Sequence, residues 1–218
     1  MRNFSIAFLM LCCSFAASAQ FTKKVVYHPD YYISATTGVN YYLAEGFTDY
    51  SILKALGTIT RFSAGYNIDP VWGIRGAIGF SSHTWPDKSD NFLPKSITAE
   101  NLTADLTVNL TNAFKGYNRL RSLSLSAFGG AGLGYRNQGV YSAMITPIVR
   151  AGAQFDYILS SELTLNLMGE LNIVSTYYNN YTGTKVPFDV YPAITVGISY
   201  RIPTEQTVFQ TVKVNYRK

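Results

Sequence analysis

The chain has 218 residues, a formal charge of +5, only 14% charged residues, and 17 tyrosines matched by 17 glycines. That length fits one domain. Its basic residues are scattered, with no run longer than the pairs Lys23-Lys24 and Arg217-Lys218, which speaks against nucleic acid as a partner.

The N-terminal stretch MRNFSIAFLMLCCSFAASAQ places Arg2 before an apolar run from Phe4 to Phe15, then Ala17-Ser18-Ala19 before Gln20. This predicts a signal peptide over residues 1–19 and an exported chain. The apolar run is too short to span a bilayer comfortably. Cys12 and Cys13 leave with it, and the large residues Met10 and Leu11 before them argue against a lipoprotein. The remaining chain then has neither disulfides nor thiol chemistry nor cysteine metal sites. Residues 20–29 read as a short periplasmic lead. Beyond the signal no stretch of about 18 apolar residues occurs, so no membrane helix is expected.

From residue 31 onward a two-faced pattern recurs eight times. Side chains on a strand alternate between faces, so a strict apolar/polar alternation is a strand with one apolar face. Residues 31–41 set Ile33, Ala35, Val39 and Tyr41 against Ser34, Thr36, Gly38 and Asn40. Residues 58–68 set Phe62, Ala64 and Tyr66 against Arg61, Ser63 and Gly65, and residues 72–81 set Trp72, Ile74, Ile78 and Phe80 against Gly73, Arg75, Gly79 and Ser81. Residues 101–110 alternate most cleanly, Leu102, Ala104, Leu106 and Val108 opposing Asn101, Thr103, Asp105 and Thr107. In SLSLSAFGGAGLGY (122–135) the leucines, alanines and Tyr135 share one parity, while serines and Gly130, Gly132 and Gly134 share the other. Residues 147–157, 163–173 and 190–201 continue in the same way, with Arg150, Gln154, Asp156, Glu170, Asn172 and Arg201 on the polar face.

The connectors alternate too. Asn67–Pro70 and Leu159–Glu162 are tight turns, and Thr111–Arg121 is somewhat longer. Tyr42–Leu56, Ser82–Thr98 and Val174–Asp189 are long and aromatic, with 137–145 a shorter exception. Eight strands of about 10 to 14 residues, with short turns at one rim and longer loops at the other, predict an all-β fold: an eight-stranded antiparallel up-and-down transmembrane β-barrel over residues 30–202. The apolar face then meets lipid, and Tyr31, Tyr41, Tyr66, Trp72, Phe80, Tyr135, Tyr157 and Tyr200 form two interfacial girdles. A water-soluble barrel would reverse the faces. Its outside would carry many more Lys and Glu than these Ser, Gly, Asn and Thr rows. Localisation in the cell outer membrane follows, with the long loops outside.

With that pattern in place, the chain resembles the OmpA-type eight-stranded outer-membrane barrels in the form common in Bacteroidota. The resemblance covers roughly residues 30–202. It rests on the signal ending ASAQ, on Trp72-Gly73-Ile74-Arg75-Gly76 after a tight turn, and on Phe128-Gly129-Gly130-Ala131-Gly132-Leu133-Gly134-Tyr135. OmpA-type proteins usually continue into a periplasmic peptidoglycan-binding domain. Here only PTEQTVFQTVKVNYRK follows, so the resemblance implies a barrel-only form with a periplasmic tail over 203–218, either disordered or paired with something in the periplasm.

The candidate functional residues are of two kinds. Arg61, Arg75, Asp105, Arg150, Asp156, Glu170 and Arg201 are expected to point into the lumen as a paired charge network, because buried charges must be compensated. Centring the turn between the sixth and seventh strands on Ser160 sets Arg150 opposite Glu170 as a cross-strand salt bridge. Tyr177, Tyr178, Asn179, Asn180 and Tyr181 are the expected loop contacts, since tyrosine and asparagine give adaptable recognition. No cofactor, metal or catalytic centre is expected. Asp87, Asp90 and Glu100 match no ion loop. His83, placed in a loop beside Trp85 and near Ser81 and Ser82, is the one residue that would serve a lipid-modifying barrel enzyme. The expected role is structural and surface-interacting, with outer-membrane lipid and a further surface protein as partners. A small porin or gated channel is the alternative.

Overall fold

The alternation becomes a closed sheet. The structure, a computed structural model, describes residues 22–27, 29–42, 56–87, 93–118, 120–138, 141–175, 188–203 and 208–213. In chain order the elements are β1 (Thr22–Tyr27), β2 (Asp30–Tyr41), β3 (Leu56–Asn67), β4 (Trp72–Asp87), β5 (Leu93–Asn109), α1 (Leu110–Lys115), β6 (Leu123–Gln138), β7 (Tyr141–Ile158), β8 (Leu163–Ser175), β9 (Phe188–Pro203) and β10 (Val208–Lys213). Strands β2 to β9 each pair antiparallel with the next, and β9 returns to β2 to close the barrel. Closure removes every edge, which a hydrocarbon surround demands.

The faces are those expected. Large apolar side chains are outside: Leu102 is 60% exposed, Leu106 48% and Ile194 61%. Charged and amide side chains are inside, among them Arg61, Arg150 and Asn172 at 1% or less. Tyr31, Tyr66, Trp72, Tyr157 and Tyr200 ring the turn end of this belt, and Tyr41, Phe80 and Tyr135 mark its loop end. Tyr31 and Tyr41 lie ten residues apart on β2. That is about 33 Å along the strand, or roughly 25 Å along the membrane normal at a tilt near 40°, the height of an outer-membrane apolar band.

The strands run further than the sequence pattern marks. The 82–98 connector is mostly strand, β4 and β5 staying in register out to Asp87 and Leu93. Likewise β6 runs on to Gln138 and β7 starts at Tyr141, with a register shift between Arg136 and Gln138. Both hairpins therefore rise beyond the loop-end girdle, where side chains leave lipid and strict alternation is no longer required.

At the other rim the turns have local causes. Asp69 accepts the N–H groups of Val71 and Trp72, both at 2.7 Å, which fixes the β3–β4 turn. The β5–β6 connector contains the short helix α1, where a plain loop was expected. Its N-cap Asn109 accepts from the Asn112 N–H, and Gly116, at φ 74°, ends it. Asn112 also donates to the Pro70 carbonyl, tying α1 to the neighbouring turn. Outside the barrel β1 pairs antiparallel with β10, so the stretch just before the barrel and the tail form a two-stranded ribbon at the turn end.

Tight curvature explains the lumen glycines. A Cβ on Gly132 would stand 1.9 Å from the Leu102 carbonyl oxygen of the adjacent strand, whereas one on outward-facing Gly169 would meet nothing within 4 Å. Gly132→Ala is therefore expected to cost about 1 to 3 kcal/mol or to block folding. Gly169→Ala should be neutral or stabilise by up to about 1 kcal/mol. Denaturant unfolding in detergent micelles measures both, and equal stabilities would contradict the curvature argument.

Candidate functional site in the barrel lumen

The lumen is stacked in three layers. At mid-depth five charged side chains form a continuous lattice. Arg61 on β3 grips Glu170 on β8 with two bonds, Nη1 to Oε2 at 2.7 Å and Nη2 to Oε1 at 2.8 Å. Arg150 on β7 touches the same Glu170 at 3.5 Å, but its main partner is Asp105 on β5. Its Nε donates to Asp105 Oδ1 at 2.7 Å, and its Nη2 donates to Oδ2. Arg75 on β4 completes the set, its Nε donating to Asp105 Oδ2 at 2.8 Å. All five side chains are at most 2% exposed. Phe128, on β6, lies under two of the guanidinium groups, 4.4 Å from Arg75 and 5.5 Å from Arg150.

This geometry corrects the expected Arg150–Glu170 pair. The β7–β8 turn is centred on Ser161: Leu159 donates to the Leu163 carbonyl, and the Ser160 hydroxyl accepts the N–H groups of Glu162 and Leu163. The register consequently moves by two residues, setting Arg150 opposite Asn172 and Glu170 opposite Gly152. Parity survives the shift, so both still point inward, but each finds its stronger partner across the barrel rather than on the adjacent strand.

Asp156 joins the lattice only through amides. Gln154 accepts from Arg75 Nη1 and donates to Asp156 Oδ1, each at 2.8 Å, and Asn166 donates to the same oxygen at 2.5 Å. Arg201 stands apart at the turn end, 3.1 Å from Asp30 and 39% exposed. Of the seven residues expected as one network, five are brought into direct contact, one is joined indirectly and one sits elsewhere.

Toward the loop end the lumen is filled. Tyr42, Ala99, Ile148, Val174 and Tyr191 form a buried cluster. His83 belongs to this layer: it lies on β4 and is 0% exposed, not in a loop. Asn40 donates from Nδ2 to the carbonyls of Thr58 and Ser82, which turns its Oδ1 toward His83 Nδ1 at 3.0 Å. That arrangement makes Nδ1 the protonated nitrogen and leaves Nε2 to accept from the Ser81 hydroxyl, 3.1 Å away. Serine, histidine and asparagine thus stand in the order of a nucleophile, base and orienting group. The rings of Tyr42 and Tyr191 pack against that of His83, at 5.3 Å and 4.7 Å between centroids. Tyr42 is itself fixed by a 2.7 Å bond from its hydroxyl to Asp189.

Toward the turn end the lumen opens into a vestibule of about 1160 Å³. Tyr32, Phe128 and Gln154 line it, and Asp30, Asp156 and Arg201 face it. The loop residues Tyr177, Tyr178, Asn179, Asn180 and Tyr181 lie outside the described residues, as does His28. Asn40 and Gln154 were placed on the polar face without being assigned to the site, and Phe128 was missed by sequence reasoning. Phe128 alone offered a signal, as the single large apolar residue on the polar parity of its strand.

No family model matches the chain, and no curated protein matches it. Among solved structures it is similar to the crystal structure of Neisserial surface protein A, at 12% identity over 79% of this chain and 97% of that one, with a TM-score of 0.53. It is also similar to Ail, the attachment invasion locus protein of Yersinia pestis, in complex with the heparin analogue sucrose octasulfate, at 14% identity, 81% and 100% coverage and a TM-score of 0.48. A third is the outer membrane protein OprG of Pseudomonas aeruginosa, at 12% identity, 81% and 97% coverage and a TM-score of 0.45. The first likeness shows the fold, that of an eight-stranded outer-membrane barrel. With that fold, an apolar belt outside and a polar lumen inside, the molecule is an outer-membrane β-barrel protein.

Removing one partner of a desolvated ion pair strands the other, at about 3 to 5 kcal/mol. Denaturant unfolding of Arg150→Met, Asp105→Asn, Glu170→Gln and the paired variants should give a larger coupling energy for Arg150 with Asp105 than for Arg150 with Glu170. The reverse order would refute the register described above.

Proposed function

We propose that this protein is a structural and surface-interaction barrel, which anchors aromatic loops at the cell surface and keeps its own lumen shut. The observation that carries the reading is the filled lumen: a buried lattice of paired charges at mid-depth and, above it, the packed layer of Tyr42, Tyr191, Ile148, Val174 and His83. Membership of the OmpA-type barrels, suggested by the motifs around Trp72 and Phe128, belongs with this reading. So does the assignment of Tyr177, Tyr178, Asn179, Asn180 and Tyr181 to contacts with another surface molecule, while the outer belt contacts outer-membrane lipid. A non-enzymatic role is part of the proposal, supported by the burial of Ser81 and His83 and the packing of two tyrosine rings against His83.

A regulated channel is the second reading. It is favoured by the position of Arg150, shared between Asp105 and Glu170, since a change of partner would loosen the layer.

Planar-bilayer recording separates the two. The closed reading expects no steady conductance above that of bare lipid. Regular open steps from the unmodified protein would overturn it in favour of the channel. Surface contact is tested by crosslinking on intact cells: changing Tyr177, Tyr178 and Tyr181 to serine should remove adducts seen with the unmodified protein, and an unchanged adduct set would contradict the loop assignment.

A further inference from the structure

We infer that the turn-end vestibule is a binding site for an alkylammonium group, with Asp156 as its counter-ion. The first support is a contrast among lumen carboxylates. Asp105 is paired with Arg75 and Arg150, Glu170 with Arg61 and Arg150, and Asp30 with Arg201. No arginine or lysine among the described residues pairs with Asp156. Its nearest cations are committed elsewhere, Arg75 to Asp105 and Gln154, and Arg201 to Asp30.

The second support is what Asp156 faces. It lines the vestibule of about 1160 Å³, which opens at the turn end of the barrel. One carboxylate oxygen, Oδ1, takes both amide donors, from Gln154 and Asn166, while no described group donates to Oδ2. A half-buried carboxylate short of a cation gains from a charge-assisted hydrogen bond.

The third support decides which cation. A divalent metal ion needs six or more oxygen ligands. Here the two amides nearest Asp156 present nitrogen to it, and their oxygens are already used: Gln154 Oε1 accepts from Arg75, and Asn166 Oδ1 accepts from the Ser199 hydroxyl at 2.5 Å. A metal would meet N–H groups, whereas an ammonium brings its own donors to the free carboxylate oxygen. The rings of Tyr32 and Phe128, which line the vestibule, supply apolar walls for an alkyl chain. The same chemistry is carried by a free diamine and by a lysine side chain of a periplasmic segment.

The test is an NMR titration of the protein in lipid nanodiscs, following the side-chain amides of Gln154 and Asn166. The probes are 1,5-diaminopentane, its neutral isostere 1,5-pentanediol, and a short neutral peptide bearing one lysine. Saturable shifts are expected with the diamine, the peptide or both, and which of them binds identifies the source of the amine. Pentanediol should bind at least about tenfold more weakly. Asp156→Asn keeps an acceptor oxygen for both amides and should weaken amine binding by a similar factor, while Glu162→Gln at the rim should not. No saturable shift with either amine, equal binding of the diol, or undiminished binding by Asp156→Asn would each overturn the assignment. The diol comparison needs no variant and stands if Asp156→Asn does not fold.

Discussion

Three guanidinium groups and two carboxylates share the centre of the barrel, buried from the surrounding solvent. That constraint governs the rest of the structure. Arg61, Arg75 and Arg150 are at most 4% exposed, so each needs its charge answered within the protein. Part of the answer is local, Arg75 on β4 pairing with Asp105 on β5, and part comes from strands that are not neighbours: β3 meets β8 through Arg61 and Glu170, and β5 meets β7 through Asp105 and Arg150. Backbone hydrogen bonds hold each strand to the next, whereas these contacts, with that of Arg75 on β4 to Gln154 on β7, reach across the lumen. The planar forks of arginine suit the task, since Arg150 binds the Asp105 carboxylate with two bonds and still lies over the Phe128 ring. Making room for them requires absent side chains elsewhere. A Cβ on Gly130 would come within 2.3 Å of Asp105 Oδ1, so that glycine is the space the central carboxylate occupies.

The layers on either side of the lattice differ in kind. Above it, toward the loops, burial is apolar and aromatic, and His83, Ser81 and Asn40 satisfy one another within it. Below it, amides and hydroxyls line an open funnel closed at its floor by Gln154, Phe128 and Tyr32. Among the described residues the lumen is therefore packed toward the loops and open at the turns. This asymmetry joins the two functional proposals: contact with other molecules falls to the loops on one side, and small-molecule access falls to the vestibule on the other.

Inside and outside were legible in the sequence because a strand has a period of two. Leu106 and Asp105 are adjacent, and a slip of one residue would send the aspartate into lipid, so the alternation admits one assignment. Register was less legible. A shift of two preserves every face, and the difference between a turn centred on Ser160 and one centred on Ser161 lies in a hydroxyl–backbone bond that composition does not reveal. Cross-barrel partners were not legible at all, since nothing in the order of residues brings Arg61 to Glu170 across 109 positions. His83 was misplaced because alternation weakens where β4 rises out of the membrane, so a lumen-facing strand position resembled a loop. The helix α1 hid for another reason: six residues between Asn109 and Gly116 carry cap signals but too few turns to show a helical period.

The central claim is that the mid-lumen is dry and spanned by paired charges. The most direct measurement is the hydrogen exchange of arginine Nε protons, followed by NMR on the protein in nanodiscs. The Nε groups of Arg75 and Arg150 are bonded to Asp105 in the buried lattice, whereas that of Arg201 lies at the turn-end rim with its side chain 39% exposed. The account predicts that the Arg75 and Arg150 protons exchange far more slowly than the Arg201 proton. Exchange at the same rate in all three would show water moving freely through the lattice and would contradict it.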